Sequence, residues 1–157
     1  MKKETIATTL FILLFILFAV IVTVYLGWPY KYFLETSNKI CIEDKACFYA
    51  EIADTLSERE KGLSGRQSLG NDRGMLFIFE SETIPGFWMK DMNFPLDIIW
   101  IDNNMKIVGI EKTLGPCEEG KECPVIYPDK QIKYVLEIKS GLSDIYGFEE
   151  GNSVFFR

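Results

Sequence analysis

The stretch PLDIIWIDNNMKIVGI, residues 95–110, reads as two β-strands joined by a tight turn. Leu96 to Ile101 and Met105 to Ile110 are dense in β-branched and large apolar residues, and Asn103-Asn104 between them suits the positive backbone angles of a hairpin. Toward the N-terminus, Met75 to Phe79 and Phe87-Trp88-Met89 have the same character. Still earlier, Ile40-Cys41-Ile42 and Cys47 to Ile52 flank the polar Glu43-Asp44-Lys45, two β runs that a hairpin would join. Toward the C-terminus, a Pro- and Gly-containing loop from Thr113 to Lys130 precedes Ile132 to Ile138. There Ile132, Tyr134, Leu136 and Ile138 alternate with Lys133, Val135 and Glu137, so one face of that strand is expected to be wet. Val154 to Phe156, entered through Glu150-Gly151-Asn152, is the last strand. Two short helices interrupt the pattern. Thr55-Leu56-Ser57-Glu58 has the T-x-x-E form of a capping box with Gly62 as its stop, and Ser140 to Tyr146 ends at Gly147. The expectation is a mainly β fold, a small antiparallel β-sandwich or barrel with two short helices.

The N-terminus is of another kind. Ile6 to Leu26, IATTLFILLFILFAVIVTVYL, carries no charge and follows Lys2 and Lys3. At about 1.5 Å per residue a helix of that length reaches roughly 30 Å, enough to span a bilayer. The lysines favour a cytoplasmic N-terminus, and Trp28, Tyr30 and Tyr32 suit the opposite interface. The expected organisation is a single transmembrane anchor over 1–30, a tether over 31–39 and an extracytoplasmic β domain over 40–157. Two alternatives compete. A cleaved signal peptide would have a shorter apolar core and a small-residue cleavage site, and a buried core helix would be less apolar around its circumference.

Composition narrows the chemistry. The 157 residues include 17 basic and 23 acidic side chains; without Lys2, Lys3 and Glu4, 15 and 22 remain, a formal charge of −7. A surface of that sign is a poor match for nucleic acid or anionic lipid headgroups. The chain has no histidine, which removes the commonest general base and the imidazole ligands of zinc and copper. No Gly-rich phosphate loop occurs, and no cofactor is expected.

Several phrases carry a resemblance. Glu51-Ile52-Ala53-Asp54-Thr55, Gly62-Leu63-Ser64-Gly65-Arg66, Arg73-Gly74-Met75-Leu76-Phe77 and, above all, Phe87-Trp88-Met89-Lys90 followed by Pro95-Leu96-Asp97-Ile98-Ile99 are similar to the family called domain of unknown function 192. The likeness runs from about residue 40 to 157 and includes Pro116-Cys117, Cys123-Pro124, Tyr134-Val135-Leu136-Glu137, Gly147 and Gly151. It implies a small, mostly β domain, often exported or membrane-tethered, and brings no established activity. Asp91, where the family more often has Asn, and Asn152, where Asp commonly follows the Gly, depart from the pattern.

Asp97 is the most informative polar residue, because a carboxylate inside so apolar a strand needs a cation or several donors. Arg66 and Lys90 are the candidate partners. The cluster reads either as a structural ion pair or, with Trp88, as a ligand site. Cys41/Cys47 and Cys117/Cys123 each enclose five residues. They read as two local disulfides if the domain is exported, with a metal site or free thiols as alternatives; zinc spacings usually place two to four residues between ligands. The functional expectation is a non-catalytic binding or accessory module for a small polar ligand or an envelope partner. A hydrolase-like enzyme using Asp97 with Lys90 and Arg66, and a structural envelope protein, are the alternatives.

Overall fold

The computed structural model describes residues 15, 17, 18, 38–118 and 120–157. The chain divides into Met1–Ser37 and Asn38–Arg157, and the second unit is the β domain. Apart from Phe15, Leu17 and Phe18, the apolar run expected to be an anchor lies outside the described residues. Among those described, no helix is long and apolar enough to cross a membrane.

The strands are β1 (Lys39–Ile42), β2 (Ala46–Ala53), β3 (Arg73–Thr83), β4 (Leu96–Ile101), β5 (Ile107–Leu114), β6 (Ile132–Lys139) and β7 (Val154–Phe156). Helices α1 (Leu56–Lys61) and α2 (Leu142–Ile145) complete the set. The strands make one sheet in the order β5-β4-β6-β3-β2-β1-β7. The sheet curls into a half-barrel, and at one end its two edges meet: Ile107 N–H donates to Asn152 O (3.0 Å) and Val154 N–H to Met105 O (2.9 Å). A curled sheet closed at a corner leaves less unpaired edge than a flat one.

The sheet is not purely antiparallel. β2 and β3 run parallel, because the connection between them carries α1 and returns the chain to the end at which β2 began. α1 forms where the sequence signals it: Thr55 Oγ1 accepts from Glu58 N–H, and the Glu58 carboxylate accepts from Thr55 N–H. Phe87-Trp88-Met89, expected as a strand, makes only a two-hydrogen-bond bridge between Phe87 and Ile126. The β4–β5 turn is built differently from the expectation too. Asp102 Oδ1 accepts from Asn104 and Lys106 N–H (2.9 and 2.8 Å), and the positive φ, 58°, falls on Met105 instead of the asparagines. The carboxylate does the work that a positive-φ pair does in a two-residue turn.

Two cores lie on opposite faces of the sheet. One draws on all seven strands, with Ile40, Phe48, Leu76, Ile99, Ile107, Leu136 and Val154 among its members, and is closed by Leu142 and Phe148 around α2. The other takes Ala53, Met75, Phe77, Ile98, Trp100 and Val135 from the reverse face of the central strands. Leu63, Leu69 and Met89, from the loops after α1 and before β4, cover it. The face of β6 expected to be wet is therefore dry: Val135 and Glu137 are both buried. β6 lies between β3 and β4, and both of its faces carry packed layers.

Candidate functional site

A cleft of about 200 Å³ opens between α1 and the loop Pro85–Met92. Phe77 and Phe79 of β3, Leu96 of β4 and Glu137 of β6 form its base; Phe87, Trp88, Met89 and Met92 form one wall and residues 56–64 the other. The wall is fixed from behind. Phe87 meets Phe77 and Trp100 edge to face (centroids 5.0 and 5.3 Å), and Cys117 N–H donates to Met89 O (3.3 Å). A Cβ on Gly86 would lie 2.7 Å from Val125 Cγ1, so glycine lets this loop seat against the 125–127 segment. Trp88 is half exposed at the rim, whereas Met89 is buried.

Glu137 is the chemical centre of the cleft. It is 6% exposed, and no hydrogen bond or ion pair from a described residue reaches its carboxyl group. Its neighbours across the sheet are Met75 and Ile98. Burial alone, with no nearby cation to offset it, pushes its pKa from 4.5 up to about 8, so the group is neutral at pH 7. Arg59 borders the same cleft, but its guanidinium donates to the carbonyls of Asp54 and Ile78 and lies 5.2 Å from the Phe79 ring centroid. It is held by the fold and leaves the carboxyl group without a partner.

The expected cluster of Asp97, Arg66 and Lys90 does not assemble. Asp97 is fully buried, yet its partners are backbone amides: Oδ1 accepts from Thr113 (2.9 Å) and Gly141 (3.1 Å), and Oδ2 from Ser143 (2.9 Å). Three donors satisfy a buried carboxylate as a cation would, and here they clamp β4 to the end of β5 and the entry of α2. Arg66 instead forms a two-pronged pair with Glu51 (2.5 and 2.7 Å), which holds the Glu51 carboxyl below its usual range chiefly through that hydrogen bonding. Lys90 is exposed and offers its carbonyl to Ser64 Oγ (3.1 Å). Of the expected ligand residues only Trp88 lines the cleft. Among the described residues no group of three or more His, Cys, Asp or Glu side chains is placed to hold a metal.

The model of the family DUF192, described as "Uncharacterized ACR", matches residues 38–156. The chain belongs to the DUF192 family. Two solved structures resemble this DUF192 domain. One is a protein of unknown function from Novosphingobium aromaticivorans, 28% identical with a TM-score of 0.69, covering 74% of this chain and 83% of its own. The other, from Sinorhizobium meliloti and provisionally described as a transcription regulator, is 28% identical with a TM-score of 0.67, covering 75% of this chain and 90% of its own. Comparison with curated proteins gives no match.

Cys41–Cys47 and Cys117–Cys123 of the DUF192 domain are disulfide-bonded, with Cα separations of 4.0 and 5.3 Å. The first links directly opposed residues of the β1–β2 hairpin. The second closes the loop whose Cys117 amide braces Met89. Glu137 is the residue that alternation along β6 conceals, since period-two reading places it outside with Lys133. The signal that could have found it is in β4. Leu96 to Ile101 is apolar on both faces apart from Asp97, which marks a strand with both faces covered, and a strand paired to it shares those layers.

Proposed function

We propose that this DUF192 protein is a membrane-tethered, extracytoplasmic binding module that takes a small ligand, or a single side chain of an envelope partner, into the Glu137 cleft and does not turn it over. The observation that carries the reading is Glu137 itself, a buried acid with no partner among the described residues, opening on a cleft walled on one side by aromatic and methionine side chains. A cleft with an aromatic and methionine wall and a few directed polar groups is the ordinary anatomy of a recognition site. Its volume, about 200 Å³, lies below the usual range for drug-sized ligands and fits one ring or one side chain. Binding is favoured over catalysis because the cleft offers no activated nucleophile: the chain lacks histidine and all four cysteines are bridged. The tether rests on the Ile6–Leu26 run behind Lys2 and Lys3, and the two disulfides favour an oxidising compartment.

The test is a fragment screen on the full chain in detergent micelles, with methionine methyl groups labelled for NMR. Single-ring fragments are expected to shift Met89 and Met92 and to leave Met105, across the sheet in the other core, unmoved. Trp88→Ala should weaken those hits. A screen in which no fragment moves Met89 or Met92 would reject the cleft as a binding site. Carbonate washing of membranes checks the tether separately, since release of the intact domain into the wash would remove it.

A further inference from the structure

Resting on the binding reading above, we infer that the ligand is an organic cation, an ammonium, amidinium or guanidinium on a short apolar stem, whose charge is neutralised by Glu137. Three observations converge. The carboxyl group is buried and lacks a partner, so a ligand that brings donors and positive charge relieves the largest electrostatic cost in the cleft. The walls offer aromatic and thioether groups, Phe77, Phe79, Phe87, Trp88, Met89 and Met92, and ring faces attract cations. The domain around them is acidic. While protonated, Glu137 offers an anion or a neutral ligand hydrogen bonds only; once ionised it repels an anion in the same low-dielectric space, and only a cation neutralises it.

Apart from Glu137, the charged residues lining the cleft come from α1: Arg59, whose guanidinium is engaged by backbone carbonyls, and the exposed Glu60 and Lys61. β3 and β4 contribute only Phe77, Phe79 and Leu96 to the lining, and the 85–92 loop only uncharged groups. Cation binding therefore requires Glu137 to lose its own proton to solvent, and affinity must rise with pH until the free group is ionised.

Benzamidinium, benzamide and benzoate have nearly the same shape and differ in charge, so titrating each into the full chain in micelles separates the alternatives. Benzamidinium is expected to shift Met89 and Met92 saturably and to bind about tenfold more tightly at pH 9 than at pH 7, as release of one proton from a group near pH 8 requires. Glu137→Gln should lower its affinity at least tenfold at pH 9 and abolish the pH dependence, while benzamide binding stays unchanged. Equal binding of benzamide and benzamidinium to wild type and E137Q, or preference for benzoate, would overturn the cation inference and leave the binding site standing. Silence of Met89 and Met92 with all three compounds, when other fragments from the screen do move them, would also overturn it; silence in the whole screen would remove the binding site as well.

Discussion

Glu137→Gln tests the buried acid without any ligand. Below about pH 4.5 the folded and unfolded chains both hold this proton; between there and about pH 8 only the folded chain does; above that, neither does. Because the folded state binds the extra proton, this group's contribution to stability is most favourable at low pH and falls as pH rises through that window, by about 1.4 kcal/mol per unit. The accumulated penalty is about 3 kcal/mol at pH 7 and about 5 kcal/mol above pH 8. Glutamine keeps the shape and removes the charge, so E137Q should match wild type near pH 5 and be more stable by several kcal/mol at pH 9. The window is unusually clean. With no histidine and every cysteine bridged, no other side chain of ordinary pKa titrates between about pH 6 and 8. Urea denaturation of the full chain in micelles, at pH 5, 7 and 9 with disulfides intact, reads the difference. Parallel stability curves for wild type and variant would refute the burial of an unpaired carboxyl group at this position.

Asp97→Asn should cost about 2–4 kcal/mol in the same assay, because one of the two clamp oxygens becomes an NH2 group facing backbone donors; an effect under about 0.5 kcal/mol would mean the clamp is not formed. Arg66→Ala should cost less than about 1 kcal/mol, since its pair with Glu51 is 37% and 58% exposed, and a larger loss would assign Arg66 a buried role. Replacing both Cys41 and Cys47 with Ser should cost about 2 kcal/mol, the loop-closure value for so short a ring, with β1 still paired to β7; amide exchange in β1 faster than in β7 and β2 alike would show the hairpin depends on the bridge.

What the sequence disclosed and what it hid follow from the range of each interaction. The capping box at Thr55–Glu58 and the β1–β2 hairpin that opposes Cys41 to Cys47 are local, and they were legible as spacings. The burial of Asp97 was legible from the apolar residues around it, but its donors were not. They come from positions 113, 141 and 143, and two of these lie where the chain has positive φ, 56° at Thr113 and 84° at Gly141. Such amides converge only once the loops are in place, so residue type gave no hint, and Arg66 and Lys90 looked like the better partners. Glu137 was hidden for a complementary reason. Its exposure depends on what covers the outer face of β6, and that cover is supplied by Leu63 and Leu69 after α1 and by Met89 before β4, far away along the chain.

The two buried acids sit on adjacent strands, Asp97 opposite Ile138 and Glu137 opposite Ile98, and the fold treats them oppositely. The fold directs three backbone amides at Asp97, and the result is a clamp buried out of a ligand's reach. Among the described residues it directs none at Glu137. An apolar side chain at position 137 would pack against Met75 and Ile98 without the desolvation cost, and a partner such as Arg59, already at the rim, would remove that cost by ion pairing. Instead the guanidinium of Arg59 is tied to the carbonyls of Asp54 and Ile78, which engages the arginine bordering the cleft elsewhere. A local rule broken at several kcal/mol, with the remedy at hand and held away, supports the proposal of a site kept open for an incoming group.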